Sequence, residues 1–346
     1  MASGGKVGVA VVGEGYWGPN LARAFGWEPN CNLVAICDVS AERLSLAARR
    51  HPEARVTRDF RDLLADAAIE LLLIATPTST HFDLARQALE AGKDVLLSKP
   101  ITRTATEARE LIRLAEAKGR ILAVDHTFLY TGAVQKIKQI VESGELGELL
   151  YFDSVRVNLG LFQPDVNVIY DLAPHDLSIL SFLLDRKPRA VQAMGTSHAG
   201  NGIENIAYVN LDYDSPFIAH FHFNWLSPVK LRRTLIGGTS KMIVYDDMET
   251  SEKVKIYDKG IVVRQGDANA LYRIYVDYRT GDMVAPKLVN QEALATEAQH
   301  VLSCVIERKA PISDGRMGLE VVQILEATQE SLLRRGERVP LAFDGR

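Results

Sequence analysis

Cysteine is scarce in this 346-residue chain. Cys31, Cys37 and Cys304 form an odd, scattered set without ligand spacing, which speaks against a disulfide framework and for free or buried thiols in a reducing compartment. No His/Cys/Asp/Glu group shows recognisable metal-ligand spacing and no GxSxG nucleophile elbow occurs, so the sequence offers no metal site and no serine-hydrolase elbow. Long apolar runs are missing too: none approaches the roughly 20 residues that span a bilayer. Positive charge is not in excess, with 40 Lys+Arg against 44 Asp+Glu and a net charge of -4, so there is no basic field for nucleic acid or an anionic membrane. Internal repeats and low-complexity segments are absent. The short, polar start MASGGK leads straight into an apolar stretch, so no secretory signal is expected and the cytoplasm is the natural assignment.

What is present is an ordinary globular composition, 47% hydrophobic and 24% charged, in a chain long enough for two domains. Val7–Val12 reads as a strand, followed by Gly13-Glu14-Gly15-Tyr16-Trp17-Gly18 and a helix start. Strand, glycine turn and helix in that order form a cradle for a dinucleotide pyrophosphate: Gly13 makes the turn, Gly15 lets backbone N–H groups approach phosphate, and Gly18 lets helix and strand pack closely. A glycine turn of this kind also arises for steric reasons alone. Its context favours the cradle, because Asn32–Asp38 reads as a second buried strand ending in an acid 20 residues after Gly18, where a carboxylate meets ribose hydroxyls. The competing role for Asp38 is a solvated strand end or the cap of a helix from Ala41. A carboxylate there repels a 2′-phosphate and favours NAD over NADP, with Ser40 and Arg43 partly offsetting the preference.

Further strands are expected at Leu71–Ala75, Val95–Leu97 and Ile121–Val124, with helices such as His81–Ala91 and Thr104–Lys118 between them. Repeated βα units demand a parallel, doubly wound sheet of Rossmann type, with ligands at the carboxyl ends of its strands. That rule gathers Asp38, Ala75-Thr76-Pro77 and Ser98-Lys99-Pro100 into one neighbourhood; the run Thr76 to His81 lines the nicotinamide side, with Thr76 and Pro77 suited to shaping the backbone and a place in a helix first turn as the competing reading of His81. After about Gly147 the pattern changes to antiparallel strands at Leu149–Asn158, Ala190–Ser197, Ile206–Tyr213, Phe217–Trp225, Arg232–Gly237 and Lys241–Tyr245, interrupted by one helix, Leu172–Leu184. We therefore expect an α/β chain with a cofactor domain over 1–126 and, over 127–346, a substrate-binding and oligomerisation domain built on a large, mostly antiparallel open sheet. The last two helices are expected to pack back on the first domain. An open sheet face suits contacts with another subunit.

Lys99, partly desolvated beside a nicotinamide, would have a depressed pKa and could join proton transfer or orient a substrate hydroxyl; the competing reading is a surface lysine after an edge strand. Asp171 and His175 lie four apart, share a helix face, and can point into a cleft between domains, where the histidine can exchange a proton with a substrate hydroxyl. Asp171 also suits a helix cap, with Pro174 tolerated in a first turn. Arg156, Asn158, Lys230, Arg232 and Arg233 supply donors for a carboxylate or diphosphate, although solvated strand positions explain the last two equally well.

VVGEGYWGPNLARAF, ATPTSTH, Lys99-Pro100 and DLAPHDLSIL together resemble the Gfo/Idh/MocA oxidoreductases over essentially the whole chain. GYWGPN, RVNLGLFQPDVNVIYDLAPHD and HFNWLSPVKLRRTLIGGTSKMIVYDD are most similar to the branch containing UDP-N-acetylglucosamine and UDP-N-acetylglucosaminuronate 3-dehydrogenases. The resemblance implies nicotinamide-dependent oxidation or reduction of a sugar carbon, a homodimer or homotetramer, Lys99 and His175 as a catalytic pair, and Asp171 positioning the sugar. It also implies cofactor contacts from the glycine turn, Tyr16, Trp17, Asp38, Thr76, Pro77, His81 and Ser98. Two departures stand out. The family usually has Glu-Lys-Pro where this chain has Ser98-Lys99-Pro100, and relatives often carry glycine where this chain has Asp125. The reading that follows is NAD-dependent oxidation of a nucleotide-sugar hydroxyl; the alternatives are an NADPH ketoreductase or free-polyol dehydrogenase, and, more remotely, a non-catalytic nucleotide-binding regulator.

Overall fold

The computed structural model describes residues 5–160, 166–200, 202–264 and 275–343. The chain forms two compact units, one of residues 1–131 and 291–326, the other of 132–290 and 327–346.

The first unit alternates strands and helices: β1 (Val7–Val12), α1 (Gly18–Gly26), β2 (Cys31–Cys37), α2 (Ala41–Arg50), β3 (Arg55–Thr57), α3 (Arg61–Ala65), β4 (Leu71–Ile74), α4 (His81–Glu90), β5 (Asp94–Ser98), α5 (Ala105–Lys118) and β6 (Leu122–Asp125). The strands pair in parallel in the order β3-β2-β1-β4-β5-β6. The order reverses between β1 and β4, which fixes the ligand crevice at the carboxyl ends of these strands. Local signals set the helix ends. Ser40 caps α2 through its side chain, Thr104 and Glu107 form a capping box on α5, and α5 stops at Gly119 in the left-handed conformation. The edge strand β3 escaped the sequence reading because its three residues, Arg-Val-Thr, carry no apolar run.

The second unit opens with α6 (Gly132–Glu142), β7 (Leu149–Leu159) and α7 (Val168–Leu183). It continues through β8 (Ala190–Thr196), β9 (Ile206–Asp212), β10 (Ile218–Asn224), β11 (Leu226–Gly238), β12 (Met242–Asp246), β13 (Val254–Tyr257), a hairpin of β14 (Gly260–Arg264) and β15 (Tyr275–Arg279), and β16 (Met283–Val284). After α8 (Ala293–Glu307) and α9 (Gly315–Leu333), the chain adds β17 (Val339–Pro340). Nine strands form one sheet in the order β16-β13-β12-β11-β7-β10-β9-β8-β17, antiparallel except for the β7–β10 pair. Burial alternates along β10: Ala219, Phe221 and Phe223 are buried, while Ile218, His220 and His222 face outward.

The parallel sheet of the first unit is buried on both faces, so its strands read as continuous apolar runs. Val7, Val9 and Val11 pack with Leu21 and Phe25 of α1 and with Leu294, Ala298, Val301 and Leu302 of α8. Ala10 and Val12 turn to the other face, against Ala85 and Leu89 of α4, Ala108 and Leu111 of α5, and Leu319 and Val322 of α9. Among the described residues no helix is long and apolar enough to cross a membrane.

Candidate cofactor and catalytic site

At the end of β1 the chain turns at Gly13, whose φ is +96° and whose substituted Cβ would lie 2.9 Å from the Ala75 carbonyl oxygen. A Cβ on Gly18 would fall 1.8 Å from the Gly13 carbonyl oxygen, so helix and turn approach too closely for a side chain there. Gly15 faces the open side, with only the Arg43 guanidinium near, at 4.0 Å. Trp17 is the N-cap of α1 but provides no side-chain cap, and the first turn carries no acid, so the helix presents a positive end. Tyr16 is 92% exposed over this turn and stacks on Trp17. A shaped turn, an open glycine and an uncapped helix end fit a dinucleotide pyrophosphate.

Asp38 follows β2 and is buried. One carboxylate oxygen accepts the Glu14 N–H at 2.6 Å and the other the Ser40 N–H at 2.7 Å, with the Arg43 guanidinium 3.7 Å away. Asp38 is therefore a brace on the glycine turn, and Ser40 is the residue that caps α2. Each oxygen keeps a further acceptor position for a ribose hydroxyl. Glu14, between the glycines, has its carboxyl pushed up to about 7 by burial, against the opposing charge of Arg50, with Asp38 adding to the rise.

After β4, Thr76 and Pro77 lie at the surface of the same edge, and Thr80 Oγ1 bonds Thr76 Oγ1 at 2.7 Å. His81, expected as a cofactor contact, is 1% exposed, with Nδ1 3.0 Å from the Pro100 carbonyl oxygen and Nε2 2.9 Å from that of Thr76. Both ring nitrogens face carbonyl oxygens, and the single N–H of the neutral ring donates to one of them, so His81 packs the loop after β4 against the turn after β5 and has no free edge for a ligand. Ser98 ends β5 with its hydroxyl buried, and Lys99, half-buried, comes next. His126, directly after β6, is buried; desolvation, with the charge of Lys99 adding to it, drives its imidazole down to about 3, so it is neutral.

Two residues that sequence reasoning passed over sharpen this edge. Asp125, noted only as a departure from family pattern, accepts the Trp17 indole N–H on one oxygen and the Thr127 hydroxyl, at 2.5 Å, on the other. Glu297 of α8 lies fully buried beside it, and burial together with the Asp125 charge pushes its carboxyl well above the ordinary range. Only the acid closing the run Leu122–Asp125 signalled this pair, and nothing local marked Glu297.

In the second unit α7 begins four residues earlier than Leu172, at Val168, because Asn167 is its cap, accepting the Tyr170 N–H at 3.1 Å. Asp171 is thus not the cap, and Pro174 lies inside the helix, not in its first turn. Asp171 Oδ2 instead accepts the indole N–H of the buried Trp225 at 3.2 Å. Asp171 and His175 occupy successive turns of one helix face. Arg156, expected to bind substrate, is buried in a bidentate pair with Asp176 at 2.8 and 2.9 Å, so its charge is spent inside the fold. Asn158 is half-buried on β7 and Lys230 exposed on β11, while Arg233 and Arg232 pair with Asp246 and Asp247. Residues 161–165 of the RVNLGLFQPDVNVIYDLAPHD stretch lie outside the described residues. Among those described, no group of three or more His, Cys, Asp or Glu is arranged to hold a metal ion.

Two family profiles match this chain: the Gfo/Idh/MocA oxidoreductase family, NAD-binding Rossmann fold, over residues 7–126, and the Gfo/Idh/MocA C-terminal domain over 134–244. The chain is 26% identical over 350 aligned positions to the uncharacterized oxidoreductase YdgJ of Escherichia coli, covering 95% of this chain and 97% of that one. It is 24% identical to D-apiose dehydrogenase of Paraburkholderia graminis, covering 96% and 89%. Among solved structures, UDP-N-acetylglucosamine 3-dehydrogenase GnnA from Acidithiobacillus ferrooxidans superposes with a TM-score of 0.80 at 25% identity, covering 95% of this chain and 98% of that one.

Proposed function

Because this chain belongs to the Gfo/Idh/MocA oxidoreductases and carries their NAD-binding Rossmann domain, we propose that it oxidises a secondary hydroxyl, at C3, of a nucleotide-linked sugar to the ketone. The observation that carries the reading is Lys99: a cation on the strand edge that also holds the glycine turn and Asp38, next to a histidine kept neutral by burial. Bound NAD supplies the hydride acceptor. Lys99 as an ammonium stabilises the alkoxide that develops on the sugar, and neutral His126 does not compete with it for charge. His175 receives the hydroxyl proton, and Asp171, held by Trp225, positions the sugar. The likeness to a UDP-N-acetylglucosamine 3-dehydrogenase over nearly the full length of both chains supports a nucleotide-linked substrate.

Rates of NADH formation with UDP-N-acetylglucosamine and its uronate test the roles. Lys99→Ala and His175→Ala should each lower kcat by about a hundredfold or more, the usual range for lost acid–base catalysis. Wild-type-like rates in both variants would sink the assignment.

A further inference from the structure

Ser98 and Asp125, the two departures from the family pattern, are register partners on the adjacent parallel strands β5 and β6. Partners in a parallel pair present their side chains to the same face, so the small Ser98, with its hydroxyl buried and without a hydrogen-bond partner among the described residues, shares its face with Asp125. Asp125 is itself buried, and its two oxygens point to different elements. One holds the Trp17 indole in the glycine turn and the other the Thr127 hydroxyl just past β6.

Trp17 is no incidental partner. Its carbonyl oxygen accepts the N–H groups of Asn20 at 2.9 Å and Leu21 at 3.3 Å, so the residue whose ring Asp125 holds is also the residue on which α1 starts. Tyr16, stacked on it, is the most exposed ring of the turn. A side chain that fixes the Trp17 ring therefore fixes the register of the helix end that meets an anion.

The geometry points to Asp125 as a positioning residue for dinucleotide binding: it anchors the Trp17 side of the glycine turn to the end of β6, and it places on β6 the carboxylate that position 98 lacks. Glu297 completes the arrangement. Its carboxyl is pushed well above the ordinary range by burial and by the Asp125 charge. Of the two carboxyls, Asp125 is the one that accepts side-chain donors, from Trp17 and Thr127.

NADH binding by the full chain, followed by fluorescence titration without any sugar, tests this apart from the substrate assignment. Asp125→Ala and Trp17→Phe should each weaken NADH about tenfold, and the double variant should also be about tenfold weaker, because both changes remove one shared interaction. Asp125→Asn, which keeps an acceptor for the indole, should stay within about threefold of the wild type. Ser98→Glu in the Asp125→Ala background should recover about threefold or more of the lost affinity. A purely structural Asp125 would show neither the non-additivity nor the rescue. Binding within about twofold of the wild type in Asp125→Ala, or single effects that multiply to about a hundredfold in the double variant, would overturn the proposal. Should Asp125→Ala not fold, Trp17→Phe decides alone: NADH binding within about twofold of the wild type overturns it.

Discussion

Glu14 shows how a residue chosen for one environment behaves in another. It sits between two glycines that the turn requires, 6% exposed, with its carboxyl raised from 4.5 to about 7 by burial. Between these values the unfolded chain has released the proton and the folded chain still holds it, so stability falls as pH rises through that window and levels off above it. Glu14→Gln removes the titration. Denaturant unfolding should find the variant equal to the wild type near pH 4 and more stable by about 2–3 kcal/mol near pH 8; a difference independent of pH would contradict this. At this scale the sequence was readable where backbone geometry dictates the residue, as at Gly13 and Gly18. It was unreadable where a polar side chain finds a partner far along the chain. His81 reaches back from α4 to Pro100, and Arg156 reaches Asp176 on another element, so residues that looked available to ligands prove to be internal ties.

Helix α7 carries the same lesson one level up. Its apolar opening, Val-Ile-Tyr, contains β-branched residues and precedes an acid and a proline, so the eye starts the helix at the acid. Asn167, the true cap, moves the start by more than a turn and frees Asp171 to hold Trp225. The Arg156–Asp176 pair then pins this helix to β7 directly beside His175. Breaking a buried pair strands a charge, which costs more than the pair contributes. Arg156→Ala should lower unfolding stability by about 3–5 kcal/mol, whereas Arg156→Met with Asp176→Leu should cost clearly less. Chemical denaturation of both variants checks the order, and an equal or larger loss in the double variant would refute it. The parallel strands were legible because burial on both faces writes them as apolar runs, and β3 was not, because an exposed edge strand needs no such run.

Across the whole molecule, the parallel six-stranded sheet and the open nine-stranded sheet follow from one change in hydrophobic period along the chain, from continuous runs to alternation. That change tells where the cofactor domain gives way, and the last two helices are expected to pack back on it; α8 and the part of α9 up to residue 326 fall in the first unit, whereas residues 327–346 fall in the second, a division inside one continuous helix that no local signal marks. Nor does a shared fold choose a substrate: relatives of similar distance include dehydrogenases of free sugars and polyols as well as of a UDP-sugar. The choice rests on comparing substrates directly. In a panel of UDP-N-acetylglucosamine, its uronate, D-apiose and scyllo-inositol, each with NAD, the account predicts a kcat/KM for one of the UDP-sugars about a hundredfold or more above the free sugars and polyols, because binding energy from the remote nucleotide is available only to the former. A free sugar or polyol oxidised as efficiently as the better UDP-sugar would contradict it.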